Sequence, residues 1–366
     1  MEYNQRGHHF YQMLAMNAET GKLRTVVEER ANTFVNYGRL WRQFIKDGKQ
    51  LLWLSERDNW NHLYLYDVQK SKVIRQITKG EWFVRGIQRV DEEKREIYFS
   101  ASGVNKNEDP YLVHYYKIGM DGKNMVALTP EEGNHSAQYT YDYRYLLDTY
   151  SKVDAAPVTV LRDAQTGKLV KTLETADIAT LKKHGWVAPE VFVAKGRDGK
   201  TDMWGIIQRP TNFDPNKKYP VIEYIYAGPG DAYTPKSFMP YNWYTTSLAE
   251  LGFIVVQLDA MGTSYRGKKF EEVCYKNLKD AGFPDRELWI KAAAKKYPYM
   301  DADNVAIYGC SAGGQESTTA VLLHGDFYKA AYSACGCHDN RMDKIWWNEQ
   351  WMSWPVDSSY VECSNV

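Results

Sequence analysis

Residues 1 to about 180 alternate short apolar and aromatic runs with polar turns and contain no long helical pattern. Such alternation is typical of β-strands. Three of the runs, at residues 51–55, 96–100 and 145–149, predict equivalent strands. Turns that begin with Asn or Asp recur at positions 17, 67, 121 and 163, so that successive turns lie 50, 54 and 42 residues apart. Because propeller blades repeat every 40 to 50 residues or so, the first half predicts about four blades of a β-propeller.

The pattern changes between residues 175 and 190, where a short helical link at 176–184 ends before Pro189. Beyond it, apolar runs such as 220–226 and 252–259 alternate with helical patterns such as 285–296. Apolar strands that alternate with helices predict a mostly parallel sheet with both faces covered. We therefore predict two domains, propeller blades over residues 1–180 and an α/β domain over residues 181–366. Reactive groups in such a sheet are expected at the carboxyl ends of its strands.

One turn in the second half carries a candidate nucleophile. The apolar run 305–308 leads into Gly309-Cys310-Ser311-Ala312-Gly313, and a helical pattern follows at 315–323. A G-x-S-x-G sequence between a strand and a helix is the pattern of a nucleophile elbow, in which a sharp turn exposes the serine hydroxyl above the sheet. The alternative is a structural serine in an ordinary turn. The strand before it and the helix after it favour the nucleophile.

Three acidic residues have structural interpretations. Asp259 ends a predicted strand, but it precedes Ser311, whereas the acid of this class of hydrolase follows the serine. We therefore expect Asp259 to brace a loop rather than to act in a catalytic triad. Glu28 and Glu29 follow a strand pattern, and a charged pair in that position predicts a solvated turn.

Four segments carry a resemblance to a known family. They are residues 219–229 (YPVIEYIYAGP), 259–267 (DAMGTSYRG), 309–314 (GCSAGG) and, in the first half, 79–82 (KGEW). In combination they resemble the prolyl oligopeptidase family of serine peptidases, and within it the dipeptidyl peptidase IV branch with its bacterial members. The resemblance implies a β-propeller followed by an α/β-hydrolase domain. It also implies release of N-terminal dipeptides after proline or alanine through an acyl-enzyme.

The resemblance further implies roles for three residues at the elbow. Ser311 would attack the substrate carbonyl, and the Tyr226 hydroxyl and the backbone N–H of Ala312 would form the oxyanion hole. Donors that are already aimed at a developing oxyanion are among the largest catalytic contributions, about 3 kcal/mol for each donor.

The segment 339–352 would form the wall of the pocket for a small residue such as proline. Asp343, Trp346 and Trp347 are its candidate residues, and plain core packing is the alternative for the two tryptophans. Asp343 stands where the family often has tyrosine, and Met261 stands where it usually has arginine. These departures leave the finer preference for the residue before the scissile bond open.

The partners of the nucleophile are not found in the sequence. Ser311 is followed by only two histidines, His324 and His338, and neither is preceded by an acid on a later strand. A serine hydroxyl needs a histidine to remove its proton and a carboxylate to orient that histidine. In the family both lie further along the chain, so we expect a fragment truncated at both ends, with a partial propeller, a hydrolase domain lacking its last strands, and no activity by itself.

Two other functions stay open on the sequence alone. One is an acylaminoacyl hydrolase or esterase on the same scaffold, and the other is a non-catalytic propeller that mediates interactions. The branch commonly forms dimers, which makes a homodimer the expectation for a longer protein. A signal peptide on such a protein would place it in the periplasm or cell envelope.

Composition excludes several other classes. The chain has 46 Lys and Arg against 46 Asp and Glu, so nothing in its net charge calls for nucleic acid or an anionic membrane as a partner. The peptide substrate is what the family resemblance implies. No apolar run is long enough to span a membrane. The five cysteines all lie after residue 270, and the spacing of Cys335, Cys337 and His338 is poor for zinc. We expect neither a metal nor a cofactor.

Overall fold

The computed structural model of the chain describes residues 1–342 and 344–366. Residues 1–175, all of which are described, form four antiparallel sheets that follow one another along the chain. The first sheet has three strands, and each of the others has four strands paired in chain order. The strands are β1 (Glu2–Asn4), β2 (Phe10–Met16), β3 (Leu23–Arg30), β4 (Arg42–Ile45), β5 (Gln50–Ser55), β6 (His62–Asp67), β7 (Lys72–Gln76), β8 (Phe83–Asp91), β9 (Glu96–Ser102), β10 (Val113–Gly119), β11 (Val126–Ala127), β12 (Asn134–Tyr139), β13 (Tyr145–Lys152), β14 (Ala155–Asp163) and β15 (Leu169–Thr175).

These sheets are propeller blades, and the recurring turns occupy equivalent places in them. Each turn joins the last two strands of its sheet, and β5, β9 and β13 are the second strands of theirs, as predicted. The Asn17 and Asp163 side chains accept hydrogen bonds from backbone N–H groups two and three residues later. Such bonds stabilise a tight turn independently of the strands. The predicted partial propeller is therefore confirmed.

The second half is an α/β sheet with the strand order β16-β17-β19-β18-β20-β21. The hairpin β16–β17 is antiparallel, β17 runs antiparallel to β19, and the remaining pairs are parallel. The strands are β16 (Glu190–Lys195), β17 (Asp202–Gln208), β18 (Tyr219–Tyr224), β19 (Ile254–Asp259), β20 (Met300–Cys310) and β21 (Tyr328–Ala334). The helices are α1 (Ala179–Lys183), α2 (Thr246–Glu250), α3 (Lys268–Glu271), α4 (Phe283–Lys296), α5 (Ala312–Leu323), α6 (Ile345–Met352) and α7 (Ser358–Glu362).

The core of this half lies between the sheet and α4 and α5. Val221, Val256 and Ile307 come from three neighbouring parallel strands, and Trp289 from α4 packs with them. The predicted α/β-hydrolase architecture is thus confirmed, and its parallel strands direct their carboxyl ends to one edge. The proposed boundary between residues 180 and 181 stays a prediction; it falls within α1. In the described part of the chain, no helix is both long and apolar enough to cross a bilayer.

The prediction of a solvated turn at Glu29 is wrong. Residues 23–30 form β3, and the Glu29 side chain is buried. It accepts a hydrogen bond of 2.8 Å from Trp53 Nε1 and forms an ion pair with Arg57. A period-two strand turns every other side chain inward, and here the inward carboxylate is satisfied by a donor on the next blade.

Candidate active site

Ser311 occupies the sharp turn between β20 and α5. It is the residue before the first turn of α5, and its backbone has φ 59° and ψ −120°. A positive φ is strained for any residue with a side chain, and such strain is typical of a nucleophile elbow. The turn is held from two sides: the Ser311 N–H donates to the Ala334 carbonyl at 2.9 Å, and the Ser311 carbonyl accepts from Gly314 and Gln315.

Glycines on both sides of Ser311 allow the elbow to pack against the neighbouring strand. A Cβ on Gly309 would lie 2.3 Å from the Ile225 carbonyl oxygen, and one on Gly313 would lie 2.1 Å from the same atom. A Cβ on Gly314 would lie 2.3 Å from the Ala334 carbonyl oxygen. Each distance is well inside van der Waals contact, so the G-x-S-x-G-G sequence is required by backbone packing here as well as by the turn.

The segment that follows β18 lies directly against this elbow. A Cβ on Gly313 would meet the Tyr226 Cα at 3.4 Å, and one on Gly228 would meet the Ala312 Cβ at 3.1 Å. The Tyr226 ring packs on Tyr233, with ring centroids 4.5 Å apart, and its hydroxyl makes no hydrogen bond to a described residue. Tyr226 and Ala312, the two residues predicted for the oxyanion hole, therefore lie on adjoining segments.

Helix α6 brings one of the predicted pocket residues to the same place. The Trp347 ring lies 3.0 Å from where a Gly228 Cβ would be, and it packs edge-on against Trp351. Trp346 points toward solvent, with 54% of its surface exposed, and contacts the Trp347 ring edge. The structure thus brings Trp347, but not Trp346, against the elbow segments. Asp343 lies outside the described residues.

The two histidines after Ser311 have other partners. His324, just beyond α5, bonds to Asp280 and Glu287 at 2.7 and 2.8 Å. The His338 ring lies against Gly336 and near the Asn365 amide. Within residues 1–342 and 344–366, neither ring forms a hydrogen bond with Ser311.

Asp259 is a loop brace, as predicted. It is fully buried, and its two carboxylate oxygens accept the backbone N–H groups of Tyr233 and Thr234 at 2.8 and 3.0 Å. This fixes the loop that carries Tyr233, the ring on which Tyr226 packs. Among the described residues, no three histidine, cysteine, aspartate or glutamate side chains are close enough together to hold a metal ion.

Sequence reasoning missed a buried carboxyl beside the elbow. Glu316 lies on α5 with only 6% of its surface exposed, and its Oε2 accepts the Ala227 N–H at 3.1 Å. Burial raises the pKa of Glu316 to about 8, against the opposing effects of Arg286 and the Ala227 N–H. The sequence signal that could have revealed this burial is the helical spacing of Glu316, which lies on the face of α5 that carries the buried residues Gly313, Ser317 and Ala320.

Comparison with known families supports the same assignment for both halves. Residues 1–157 match the model of the dipeptidyl peptidase IV N-terminal region, and residues 239–366 match that of the prolyl oligopeptidase family. Residues 239–366 thus belong to the prolyl oligopeptidase family, and residues 1–157 to the N-terminal region of its dipeptidyl peptidase IV branch. The only residues that the two matches leave out are 158–238, which include Tyr226.

Curated relatives agree in their names. Dipeptidyl peptidase 4 of Trichophyton rubrum is 29% identical over 308 residues, which is 82% of this chain and 38% of that protein. Human dipeptidyl peptidase 8 is 27% identical over 267 residues, which is 70% of this chain and 29% of that protein. The chain therefore spans less than half the length of these relatives.

Two solved bacterial structures share the fold over nearly the whole chain. A protein assigned as dipeptidyl aminopeptidase IV from Bacteroides ovatus superposes with a TM-score of 0.86 at 27% identity, covering 99% of this chain and 54% of its own. Dipeptidyl peptidase 4 of Porphyromonas gingivalis gives a TM-score of 0.84 at 24% identity, and the match covers 99% of this chain and 50% of that protein.

Proposed function

We propose that the protein is a serine dipeptidyl peptidase that releases N-terminal dipeptides ending in proline or alanine. The observation that carries the proposal is Ser311 on a strained elbow, with the Tyr226 segment packed against it. The two family matches and the names of the relatives support the reaction class. Trp347 beside Gly228 supports an aromatic wall for a small, apolar side chain.

In the proposed reaction, Ser311 Oγ attacks the carbonyl carbon of the second residue of the peptide, and its proton passes to a base. The negative charge that develops on the carbonyl oxygen is stabilised by the Ala312 N–H and the Tyr226 hydroxyl. Collapse of the tetrahedral species breaks the peptide bond, and the leaving amine takes up the proton. Water then attacks the acyl-enzyme and releases the dipeptide. Asp343, Trp346 and Trp347 are the proposed pocket residues.

The test is hydrolysis of Gly-Pro and Ala-Pro chromogenic substrates by the polypeptide that the intact gene encodes, whatever its length. Ser311→Ala should lower kcat/KM by at least about a thousandfold. Tyr226→Phe removes a single oxyanion donor and should lower kcat by roughly 100- to 1000-fold. Ser358→Ala and Tyr141→Phe change exposed residues with no proposed part in the reaction, and they serve as matched controls with unchanged rates.

A polypeptide of residues 1–366 alone should show no Ser311-dependent turnover, because neither His324 nor His338 bonds to Ser311. Turnover by the intact gene product that survives Ser311→Ala would overturn the proposed function. Hydrolysis of acyl esters or acylated amino acids without hydrolysis of Gly-Pro and Ala-Pro substrates would shift the assignment to an acyl hydrolase on this scaffold.

A further inference from the structure

Three ionisable side chains lie buried between the sheet and its helices, behind the elbow. Glu223 on β18 and Arg286 on α4 are fully buried, and Glu316 on α5 is nearly so. Glu223 forms an ion pair with Arg286 and accepts a hydrogen bond of 2.7 Å from the Tyr328 hydroxyl. Arg286 also donates to the Leu258 carbonyl at 3.1 Å. Glu223 and Arg286 thus pair with each other.

Glu316 is left with a different partner. Its Oε2 accepts the Ala227 N–H at 3.1 Å, and among the described residues no cationic group lies within 4 Å of its carboxyl. Burying a carboxyl group without a counter-charge costs free energy. The packing of α5 against the sheet does not itself require a carboxyl group at this position. Among the described residues, the hydrogen bond from the Ala227 N–H is the only polar contact of the Glu316 side chain, so it indicates what the carboxyl group does.

That contact fixes the backbone on one side of Tyr226. On the other side, the Ile225 N–H donates to the Tyr308 carbonyl at 2.9 Å, which continues the pairing of β18 with β20. The strand pairing ends there, and Ala227 is bonded to the Glu316 side chain instead. Tyr226 is consequently held between a strand bond and a carboxyl group from the helix that follows Ser311.

We propose that Glu316 is a positioning residue for the oxyanion hole, whose carboxyl group holds the Ala227 N–H and so fixes the Tyr226 backbone relative to Ser311. The inference rests on the proposed function, because that function gives the Tyr226 hydroxyl its task. Through α5, one rigid element carries the nucleophile turn, the Ala312 donor and the side chain that anchors the second donor.

The protonation state of Glu316 should make kcat depend on pH. Burial raises its pKa to about 8, and the charged or titratable groups that face it are Arg286 from α4, Glu223 from β18 and Tyr233 from the loop after Tyr226. Below this pH the neutral carboxyl still accepts the N–H bond through an oxygen. Above it, a negative charge behind the oxyanion hole opposes the developing oxyanion. We therefore expect kcat to fall as the pH rises through about 8.

The experiment compares Glu316→Gln and Glu316→Leu in the intact gene product, with Thr318→Ala on the same helix as control. Glutamine keeps an acceptor oxygen but cannot ionise, so kcat at pH 7 should stay within about twofold and the fall above pH 8 should disappear. Leucine removes the acceptor, and kcat should drop about tenfold with KM nearly unchanged. A leucine variant with unaltered kcat, or a glutamine variant that keeps the fall, would overturn the inference.

Two further measurements separate this inference from the proposed function. If Ser311→Ala leaves turnover intact, or no turnover exists, the proposed function is wrong. The anchoring contact is then decided by amide hydrogen exchange on residues 1–366. The Ala227 amide should be protected in the wild type and in Glu316→Gln, and should exchange at least about tenfold faster in Glu316→Leu. Rapid exchange of Ala227 in the wild type would refute the anchor itself.

Discussion

Glu316 couples the stability of the fold to pH, apart from any role in catalysis. With its pKa raised to about 8 by burial, the folded protein holds a proton that the unfolded chain releases above about pH 4.5. Since the folded state binds more protons across this window, the free energy of unfolding decreases as pH rises from about 4.5 to 8. The slope from this group reaches at most about 1.4 kcal/mol per pH unit.

Glu316→Gln should therefore become more stable relative to the wild type as the pH rises from 5.5 to 8. Urea unfolding of both proteins at several pH values measures the difference. Glu362→Gln, which changes an exposed carboxylate on α7, should follow the wild type at every pH. A constant difference between Glu316→Gln and the wild type would contradict the raised pKa.

Four of the five cysteines form an exposed pair and a buried pair, and Cys337 is half-buried. Cys310 and Cys335 are exposed beside the elbow, whereas Cys274 and Cys363 are buried, and burial raises the pKa of both buried thiols. Since maleimide reacts only with thiols that it can reach, we expect it to modify Cys310 and Cys335 in the native protein and to spare Cys274 and Cys363 until urea is added. Peptide mass spectrometry after native labelling measures this, and early labelling of Cys274 would count against the burial of the short turn that follows α3.

At the scale of single residues, Ser311 was predictable and Glu316 was not. The serine sits in a motif whose glycines and flanking apolar run each have a local meaning. The carboxyl of Glu316 acquires its role only when β18 ends beside α5, which is a contact between residues 89 positions apart. Burial of Glu29 was hidden for the same reason, because its donor Trp53 lies on the next blade.

At the scale of secondary structure elements, one substitution in α5 should destabilise the protein although it favours helix formation locally. Gly313→Ala lies inside α5, where alanine alone would favour the helix by about 1 kcal/mol. A Cβ there would lie 2.1 Å from the Ile225 carbonyl oxygen, however, and both groups belong to rigid backbone. We expect a net loss of about 3 kcal/mol in the free energy of unfolding, measured with urea.

The control for that substitution is Gly86→Ala in β8. A Cβ at this position would have its nearest contacts at 3.7 Å, an ordinary van der Waals distance, and the variant should differ from the wild type by less than about 1 kcal/mol. Equal stability of Gly313→Ala and the wild type would show that the elbow can move away from β18.

Elements were predictable from the sequence where the residues that specify them are close together in the chain. The blade strands were found because Asn17, Asp67 and their equivalents mark turns between strands that are neighbours in both sequence and space. The order of the α/β sheet was not found, because β18 lies between β19 and β20 through pairings that no short-range pattern specifies. The start of α5 was placed three residues late, since Gly313 and Gly314 weaken the helical signal.

At the scale of the molecule, the blades and the α/β half are joined by ion pairs that are largely shielded from water. Arg39, in the segment between the first two blades, contacts Glu56 at 2.9 Å and Glu271 of α3 at 2.8 Å, and it also bonds to Ser264. Near the amino terminus, Arg6 and the Gly7 N–H bind Glu349 on α6, the helix that carries Trp347. The proposed pocket wall is thus attached to the first blade.

The Arg39 cluster provides the test of this coupling. Only 12% of the Arg39 side chain, 10% of Glu56 and 2% of Glu271 are exposed, so Arg39→Ala removes the ion-pair partner of two shielded carboxylates. Removing one partner of a buried ion pair costs about 3–5 kcal/mol. We expect a loss of that size in urea unfolding, together with faster tryptic cleavage between the two halves.

Arg42→Ala is the matched control, since Arg42 pairs with Glu2 across the first two blades while about 40% of each side chain remains exposed. Exposed pairs contribute less than about 1 kcal/mol, so this variant should unfold almost as the wild type does. Similar losses for Arg39→Ala and Arg42→Ala would mean that the Arg39 ion pairs do not hold the two halves together. A larger loss for Arg39→Ala would show that the buried charge cluster stabilises the packing of the blades against α3.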